Sequence, residues 1–506
     1  MSASVADRDR HAGPGSTGSG AGRSTGRARD LPARTVWIWP ALLTLALGLR
    51  GSSRPQLWRD ELATWSAATR STGELLDMLR HVDAVSGAYY LLMHGWIGLF
   101  GDSPAMFRLP SALALAGAAA FVTLTARKLF DTRAGLFAGV LFAAVPSVSR
   151  FAQEARSYGF VVLAVAAATW LLLRALDRPS VLRWLPYAAA VAAAGLFHMV
   201  SLLFLSGHAV IVLLRWQRDR DRRLLVRFPV AVLVGLVPVV PLVKLGQRQV
   251  GRQISWLHTP TLQTFVDYWH NMFGSALFSG CVLALAAVPA GWASRRRPAF
   301  EIGVVAALPI LLSWFVSQGS SVYFFERYQL YTVPAWCVLA AAALNALRPR
   351  ALGVLGLVAV VALGVPDQQK LRTSTAHEYT DGRAAARIIA DGYRPGDAFA
   401  PARGSAAWMM LDLEIEYYLP ERVHLQDVLV AKDAVDRDDL FPSACTRPAD
   451  CLGGAPRIWV VTMQDGTDPL KGFPAADAQA LRASYTQTRV ERVRGLTVAL
   501  LERSSG

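Results

Sequence analysis

Apolar stretches of about 15 to 20 residues recur along this chain from Val36 to beyond Leu355, and that recurrence decides its class. With 53% of 506 residues hydrophobic and a mean hydropathy of +0.31, the chain is too apolar for a water-soluble protein of its size. The sequence predicts an α-helical polytopic membrane protein. The first span is Val36 to Leu49, and ten more are expected at about 105–126, 134–151, 157–174, 184–199, 200–214, 228–244, 273–292, 300–317, 329–346 and 351–366, about eleven in all. Ala88 to Phe100 is apolar but short and broken by His94 and Gly95, so it reads as an interfacial helix.

The formal charge of +15 invites a nucleic-acid reading, but its distribution argues against one. From Asp367 onward there are 17 Lys/Arg against 20 Asp/Glu, leaving 35 against 17 upstream. The basic surplus sits in the N-terminal tail and in short loops, where the positive-inside rule accounts for it. With a cytoplasmic N-terminus and no crossing at Ala88, the loops holding Arg127, Lys128 and Arg133, then Arg174, Arg178 and Arg183, then Arg215 to Arg227, Arg295 to Arg297, and Arg348 and Arg350 all fall inside. The expected location is the plasma membrane, with the C-terminus outside and no nucleic-acid partner.

Three segments follow. Residues 1–34, rich in Gly, Ser and Arg, are expected to be a disordered basic tail, and Val36 to Leu49 an uncleaved anchor. Residues 35–366 form the membrane domain, with a first outer loop at 52–103. Residues 367–506 alternate helix-like and strand-like runs, including Arg457 to Thr462, and predict an extracytoplasmic α/β domain. Cys445 and Cys451 there suit a disulfide in an oxidising compartment.

Candidate chemistry lies at outer loop ends. Asp60 and Glu61 are adjacent acids just after the first span, preceded by Trp58. A box at Gln153, Glu154, Ala155, Arg156, Ser157 and Tyr158 brings further charge to the outer boundary, where ionisable groups commonly face a cavity or one another. The segment from about 245 to 272 reads as an outer loop with Arg248, Arg252, His258 and His270 beside Lys244; its cations run against the charge bias and ask for an anionic partner. Glu326, Arg327 and Tyr328 open a late span, where Arg327 can meet a phosphate with its fork. His198 sits at an outer helix end.

Together these residues carry a resemblance. The Asp60 and Glu61 pair, the run Leu99 to Ser103 followed by Arg108 to Ser111, the Gln153 to Tyr158 box and the Arg327-Tyr328 pair resemble, in order and topology, the GT-C superfamily of integral membrane glycosyltransferases. The nearest members are similar to bacterial protein O-mannosyltransferases and aminoarabinose transferases. The resemblance spans residues 35–366. It implies transfer of a sugar, with mannose or another hexose favoured, from a polyprenyl-phosphate donor to an acceptor hydroxyl on an envelope glycan, lipid or protein.

By position, Asp60 matches the family's catalytic acid with Glu61 beside it, and Glu154 stands where relatives carry a second acid, often Asp. Arg156, Tyr158 and His198 would position sugar or acceptor, while Arg327, Arg252 and Lys244 would bind the donor phosphate. One base and no separate nucleophile imply inversion. No cofactor is required on this reading; a divalent cation could share the site if Asp60, Glu61 and Glu154 converged. The rival readings are a lipid-linked glycan ligase, a transporter or flippase, and a non-catalytic envelope scaffold.

Overall fold

The computed structural model describes residues 34–178, 180–253, 256–291, 296–319, 322–404, 407–463 and 468–504. The N-terminal tail up to residue 33 and Arg295 lie outside the described residues.

The chain opens with α1 (Ile38–Leu49), and residues 52–103 then fold as α2 (Arg59–Ala68), α3 (Thr72–His81) and α4 (Gly87–Phe100). The membrane domain continues through α5 (Pro104–Leu129), α6 (Thr132–Ala144), α7 (Pro146–Ala152), α8 (Tyr158–Asp177), α9 (Val181–Phe197), α10 (Phe204–Asp219), α11 (Leu224–Leu236) and α12 (Val240–Gln253). It closes with α13 (Leu262–Phe273), α14 (Ala276–Ala287), α15 (Arg296–Val316), α16 (Val333–Ala346) and α17 (Arg350–Lys370). Among the described residues seven helical stretches are long and apolar enough to cross a membrane, and nine if two bent pairs each count as one span. The chain is thus a multi-pass membrane protein. The shorter α1 and α9 are apolar too, but at 12 and 17 residues their length alone does not make them spans.

The two bent pairs depart from the expected straight spans, and both bends have chemical causes. Between α6 and α7 the axis turns by 64°, where Pro146 removes an amide and its ring displaces the preceding turn. Between α13 and α14 it turns by 99°. Gly274 takes φ +73° at that corner, and a Cβ there would stand 3.0 Å from the Ser147 amide nitrogen. The two corners therefore touch, and they face the cavity described below.

The segment expected as a loop at 245–272 is mostly helical. Residues 240–253 carry apolar Leu242, Val243 and Leu245 among polar neighbours, which sustains an amphipathic helix past the end of the apolar run. Gln249 fixes it by donating to the Leu79 carbonyl at 3.1 Å and accepting from the Ala84 amide at 2.8 Å.

The tail folds as α18 (Gly382–Gly392), α19 (Leu411–Tyr418), a one-turn α20 (Pro448–Cys451) and α21 (Ala475–Ser484) around a five-stranded sheet. The sheet holds β1 (Ala398–Pro401), β2 (Gln426–Asp427), β5 (Arg457–Thr462), β6 (Tyr485–Val493) and β7 (Leu496–Arg503) in the order β2-β1-β5-β7-β6; β3 (Val430–Lys432) and β4 (Ser443–Ala444) form a separate ribbon. Pairing is parallel from β2 through β5 and antiparallel beyond. β5 is buried at all six positions, as a central strand covered on both faces must be. One face packs on Leu481 of α21, the other on Ile389 of α18 and Ile415 of α19. A disulfide joins Cys445 to Cys451.

This domain sits directly on the segment of α2, α3 and α4. Met410 and Leu440 join the apolar cluster of Leu57, Leu75, Met78 and Tyr90. Tyr418 Oη accepts the Leu57 amide at 2.8 Å, and Arg70 Nη2 donates to the Asp439 carbonyl at 2.6 Å.

Candidate active site

Helix α2 decides how the two adjacent acids are used. Trp58 is extended, and Asp60 and Glu61 follow in the first helical turn, where successive side chains diverge by about 100°. The two carboxylates therefore enter different surroundings.

Glu61 turns inward and is fully buried. Arg108 grips it in a fork, Nε to Oε1 at 2.8 Å and Nη2 to Oε2 at 2.6 Å, and the Ala155 amide donates to Oε1 at 2.9 Å. His377 Nδ1 lies 3.6 Å from Oε2. Arg108 also donates to the carbonyls of Ser52, Pro55 and Gln56. Burial alone would raise the Glu61 pKa, but Arg108 and His377 outweigh it and hold it at about 2. Burial in turn pushes His377 down to about 4, so its ring is neutral at neutral pH. This knot joins α2, α5, the Gln153 to Tyr158 box and the start of the tail. The expected partnership of Glu61 with Asp60 at one reaction centre is corrected accordingly: the helical turn separates them, and the Glu61 oxygens are engaged.

Asp60 faces the other way. Its Oδ2 accepts from Arg327 Nη1 at 3.1 Å, and its backbone carbonyl accepts from Arg156 Nη1 at 3.3 Å. Arg156 also reaches Thr64 Oγ1 and Tyr90 Oη, each at 3.4 Å. The Arg327 guanidinium lies within 6 Å of the ring centroids of Trp58, Tyr158, Trp256 and Phe325. His198 sits 4.6 Å from the Tyr328 ring and 6.0 Å from Tyr158, centroid to centroid. Asp60, Arg156, Tyr158, His198 and Arg327, read from four separate stretches, thus meet in one place.

Next to them is a cavity of about 410 Å³, lined by Trp58, Arg150, Glu154, Trp256, His270, Glu326 and Arg327 together with both helix corners, Pro146-Ser147 and Gly274. Irregular backbone at membrane depth is tolerated where it lines such a space, which accounts for the two broken helices. Glu154 is 1% exposed, yet neither carboxylate oxygen has a hydrogen-bond partner among the described residues. Arg150 Nε, at 3.7 Å, is the cation against it. Burial raises the Glu154 carboxyl to about 7, only partly offset by Arg150 and Arg327.

Other expectations fare differently. Lys244 is exposed on α12 and does not line the cavity, because the helix that carries it continues where a loop was expected. The Arg252 side chain lies outside the described residues. His270 and Trp256, from the same stretch, do reach the cavity wall. Among the described residues no three His, Cys, Asp or Glu side chains gather as a metal-binding group, and the Glu61 oxygens are taken up by Arg108 and the Ala155 amide.

Asp83 was not anticipated. It adopts a left-handed conformation, φ 53°, accepts from Ser86 Oγ at 3.1 Å and from Tyr90 Oη, and is raised by burial against the pull of Arg156. A non-glycine residue held there is a strained position of the kind found beside functional sites. Arg108 and His377 were not singled out as site residues either; an Arg at the mouth of a span was the available signal for the first.

Known proteins share this architecture. The fold is of the GT-C glycosyltransferase type. A sequence model of the dolichyl-phosphate-mannose-protein mannosyltransferase family matches residues 88–244. The chain is similar to ArnT from Cupriavidus metallidurans in the apo state, with a TM-score of 0.63 and 17% identity over 94% of this chain and 98% of that one. It is similar to the same protein bound to undecaprenyl phosphate, at 0.57 and 16% with the same coverage. The oligosaccharyltransferase AglB from Archaeoglobus fulgidus, in complex with an inhibitory peptide and a dolichol-phosphate, aligns at 0.50 and 11% over 93% of this chain and 74% of that one. No curated protein matches it by sequence.

Proposed function

We propose that this protein transfers a sugar from a polyprenyl-phosphate donor to an acceptor hydroxyl, with Asp60 as general base. The observation that carries the reading is the Asp60–Arg327 pair at 3.1 Å, whose Arg327 lines a cavity with charged walls in a GT-C fold. An undecaprenyl phosphate-bound structure of similar fold supports the donor class.

The chemistry follows from the groups present. The acceptor oxygen attacks the anomeric carbon, its proton passes to an Asp60 oxygen, and the bond from that carbon to the phosphate oxygen breaks. The leaving phosphate is already anionic, so it requires cations rather than an acid. Arg327, stacked among aromatic rings, and Arg150 on the same wall supply them. Glu154, with both oxygens unengaged, accepts from donor sugar hydroxyls, while Arg156 fixes Asp60 through its carbonyl. A single displacement inverts the anomeric configuration. The sugar is mannose or another hexose, no cofactor takes part, and the acceptor is an envelope glycan, lipid or protein. The reaction side is the outer face of the plasma membrane, a placement supported by the clustering of basic residues in the opposite loops.

The test is transfer by purified full-length protein in lipid from a panel of polyprenyl-phosphate sugars to envelope acceptors. Transfer from polyprenyl-phosphomannose supports the hexose reading. Transfer only from a pentose donor keeps the enzyme class and discards the hexose. No transfer from any donor by a folded protein that binds none of them removes the proposal.

A further inference from the structure

A second hollow of the membrane domain plays no part in this chemistry. It is an apolar groove of about 1060 Å³ between α10, α14, α15 and α16. Along α15 its wall is formed by Phe300, Gly303, Val304, Ala307 and Leu311, spaced at three and four residues as one helix face requires. From Arg296 to Leu311 that face runs about 22 Å, more than half of a roughly 30 Å hydrocarbon core.

One end of the groove is basic. Arg218 from the last turn of α10 and Arg296 and Arg297 from the first turn of α15 line it. Arg218 pairs with Asp219 and Arg297 with Glu301, leaving the rim net positive. Two buried donor atoms in this neighbourhood, Arg215 Nε and Arg297 Nη2, have no hydrogen-bond partner among the described residues. Buried guanidinium donors without acceptors ask for an anion.

The basic end is remote from the candidate active site. Helix α15 has 21 residues, and just past its far end Ser317 Oγ accepts the amides of Tyr323 and Phe324, three residues before Arg327. That places the arginine rim roughly 30 Å along the helix from the Asp60–Arg327 pair.

We propose that this groove holds an anionic glycerophospholipid of the leaflet opposite the active site, its phosphate against Arg218, Arg296 and Arg297 and an acyl chain along α15. Charge placement selects this occupant over a polyprenyl phosphate. The tail of a donor whose phosphate lies at Arg327 brings no charge to the far end, whereas a phospholipid of the opposite leaflet puts its phosphate there.

The test uses full-length protein in nanodiscs of equimolar phosphatidylglycerol and phosphatidylcholine, extracted gently and weighed by native mass spectrometry. Wild type is expected to retain phosphatidylglycerol in preference to phosphatidylcholine. The double variant Arg218→Gln/Arg296→Gln lowers that retention by roughly tenfold or more, since two cation contacts are lost. Gly303→Trp lowers it without altering charge, because a side chain at this position meets no protein atom within 4 Å and projects into open groove. Arg222→Gln, exposed and off the groove, leaves retention unchanged. Equal retention of the two lipids by wild type overturns the proposal, as does undiminished retention by the double variant. Displacement of phosphatidylglycerol by undecaprenyl phosphate at equal mole fraction assigns the groove to the carrier lipid instead. The wild-type comparison stands even if a variant fails to fold.

Discussion

Glu61 and Glu154 are both buried carboxylates beside the candidate site, and their surroundings are opposite. Glu61 is met by an arginine fork, a backbone amide and a histidine, and it stays ionised with a pKa of about 2. Glu154 is equally dry but has no hydrogen bond to either oxygen, and burial raises it to about 7. A charge that the fold satisfies completely has no capacity left for a ligand. A charge that the fold leaves unsatisfied on a cavity wall keeps that capacity, at a standing cost to stability. On the proposed function, the knot at Glu61 is the frame of the site, and Glu154 and Arg327 on the cavity wall, with Asp60 paired to Arg327 beside it, are its working surface.

Mutations can break this contrast at either end. The largest expected effect is on the frame. Glu61→Ala leaves Arg108 buried without its partner and should lower stability by about 3–5 kcal/mol, read as a fall in melting temperature of the full-length protein in detergent. Simultaneous replacement by apolar residues, Glu61→Leu with Arg108→Met, should recover much of that loss, and failure to recover would contradict a purely holding role. Next comes Arg327→Gln, which should lower kcat by about 10²- to 10³-fold while the melting temperature stays close to wild type.

Glu154→Gln sharpens the contrast through pH. In the fold this carboxyl is raised from its usual 4.5 to about 7, so the native state holds a proton that the unfolded chain releases. Its contribution is complete below the unfolded value and is lost as pH rises through 7. The variant cannot ionise, so its unfolding free energy should match wild type near pH 5 and exceed it near pH 8 by an amount on the order of 1 to 3 kcal/mol, read from denaturation curves at the two pH values. Transfer by the same variant should be weaker and should lose its pH dependence around 7; a variant with unchanged stability at both pH values would refute the buried, unpaired assignment. Smallest of all is Lys244→Ala, which should leave transfer within about twofold of wild type, as expected for a surface change away from the cavity.

The sequence made some of this legible and hid the rest for identifiable reasons. Asp60, the Gln153 to Tyr158 box and Arg327 stood out because charges at the ends of apolar runs are conspicuous, and all three meet at the site. Residue order along α2 could not show that two adjacent acids serve different neighbourhoods; only their angular separation in a helix does. The bends at Pro146 and Gly274 were masked by hydropathy, which averages over a corner as though the run were straight. Lys244 and its neighbours were read as a loop because hydropathy fell, although the alternation of apolar and polar residues still supported a helix. His377 and Asp83 carried no pattern at all. One reaches Glu61 from more than 300 positions away, and the other earns its place by backbone conformation. The tail sheet was legible in Arg457 to Thr462, but its seat on α2 to α4 rests on residues scattered through the tail, Met410, Tyr418 and Leu440, that no sequence pattern joins to Leu57.

The most direct measurement separates the two adjacent acids. Sugar transfer from a polyprenyl-phosphate donor, measured for wild type, Asp60→Asn and Glu61→Gln alongside their melting curves, assigns each its role. The account predicts that Asp60→Asn melts like wild type and loses about 10²- to 10⁴-fold in kcat, whereas Glu61→Gln melts earlier and, where folded, still transfers. Wild-type transfer by Asp60→Asn would contradict the assignment of the base, and with it the account of the site.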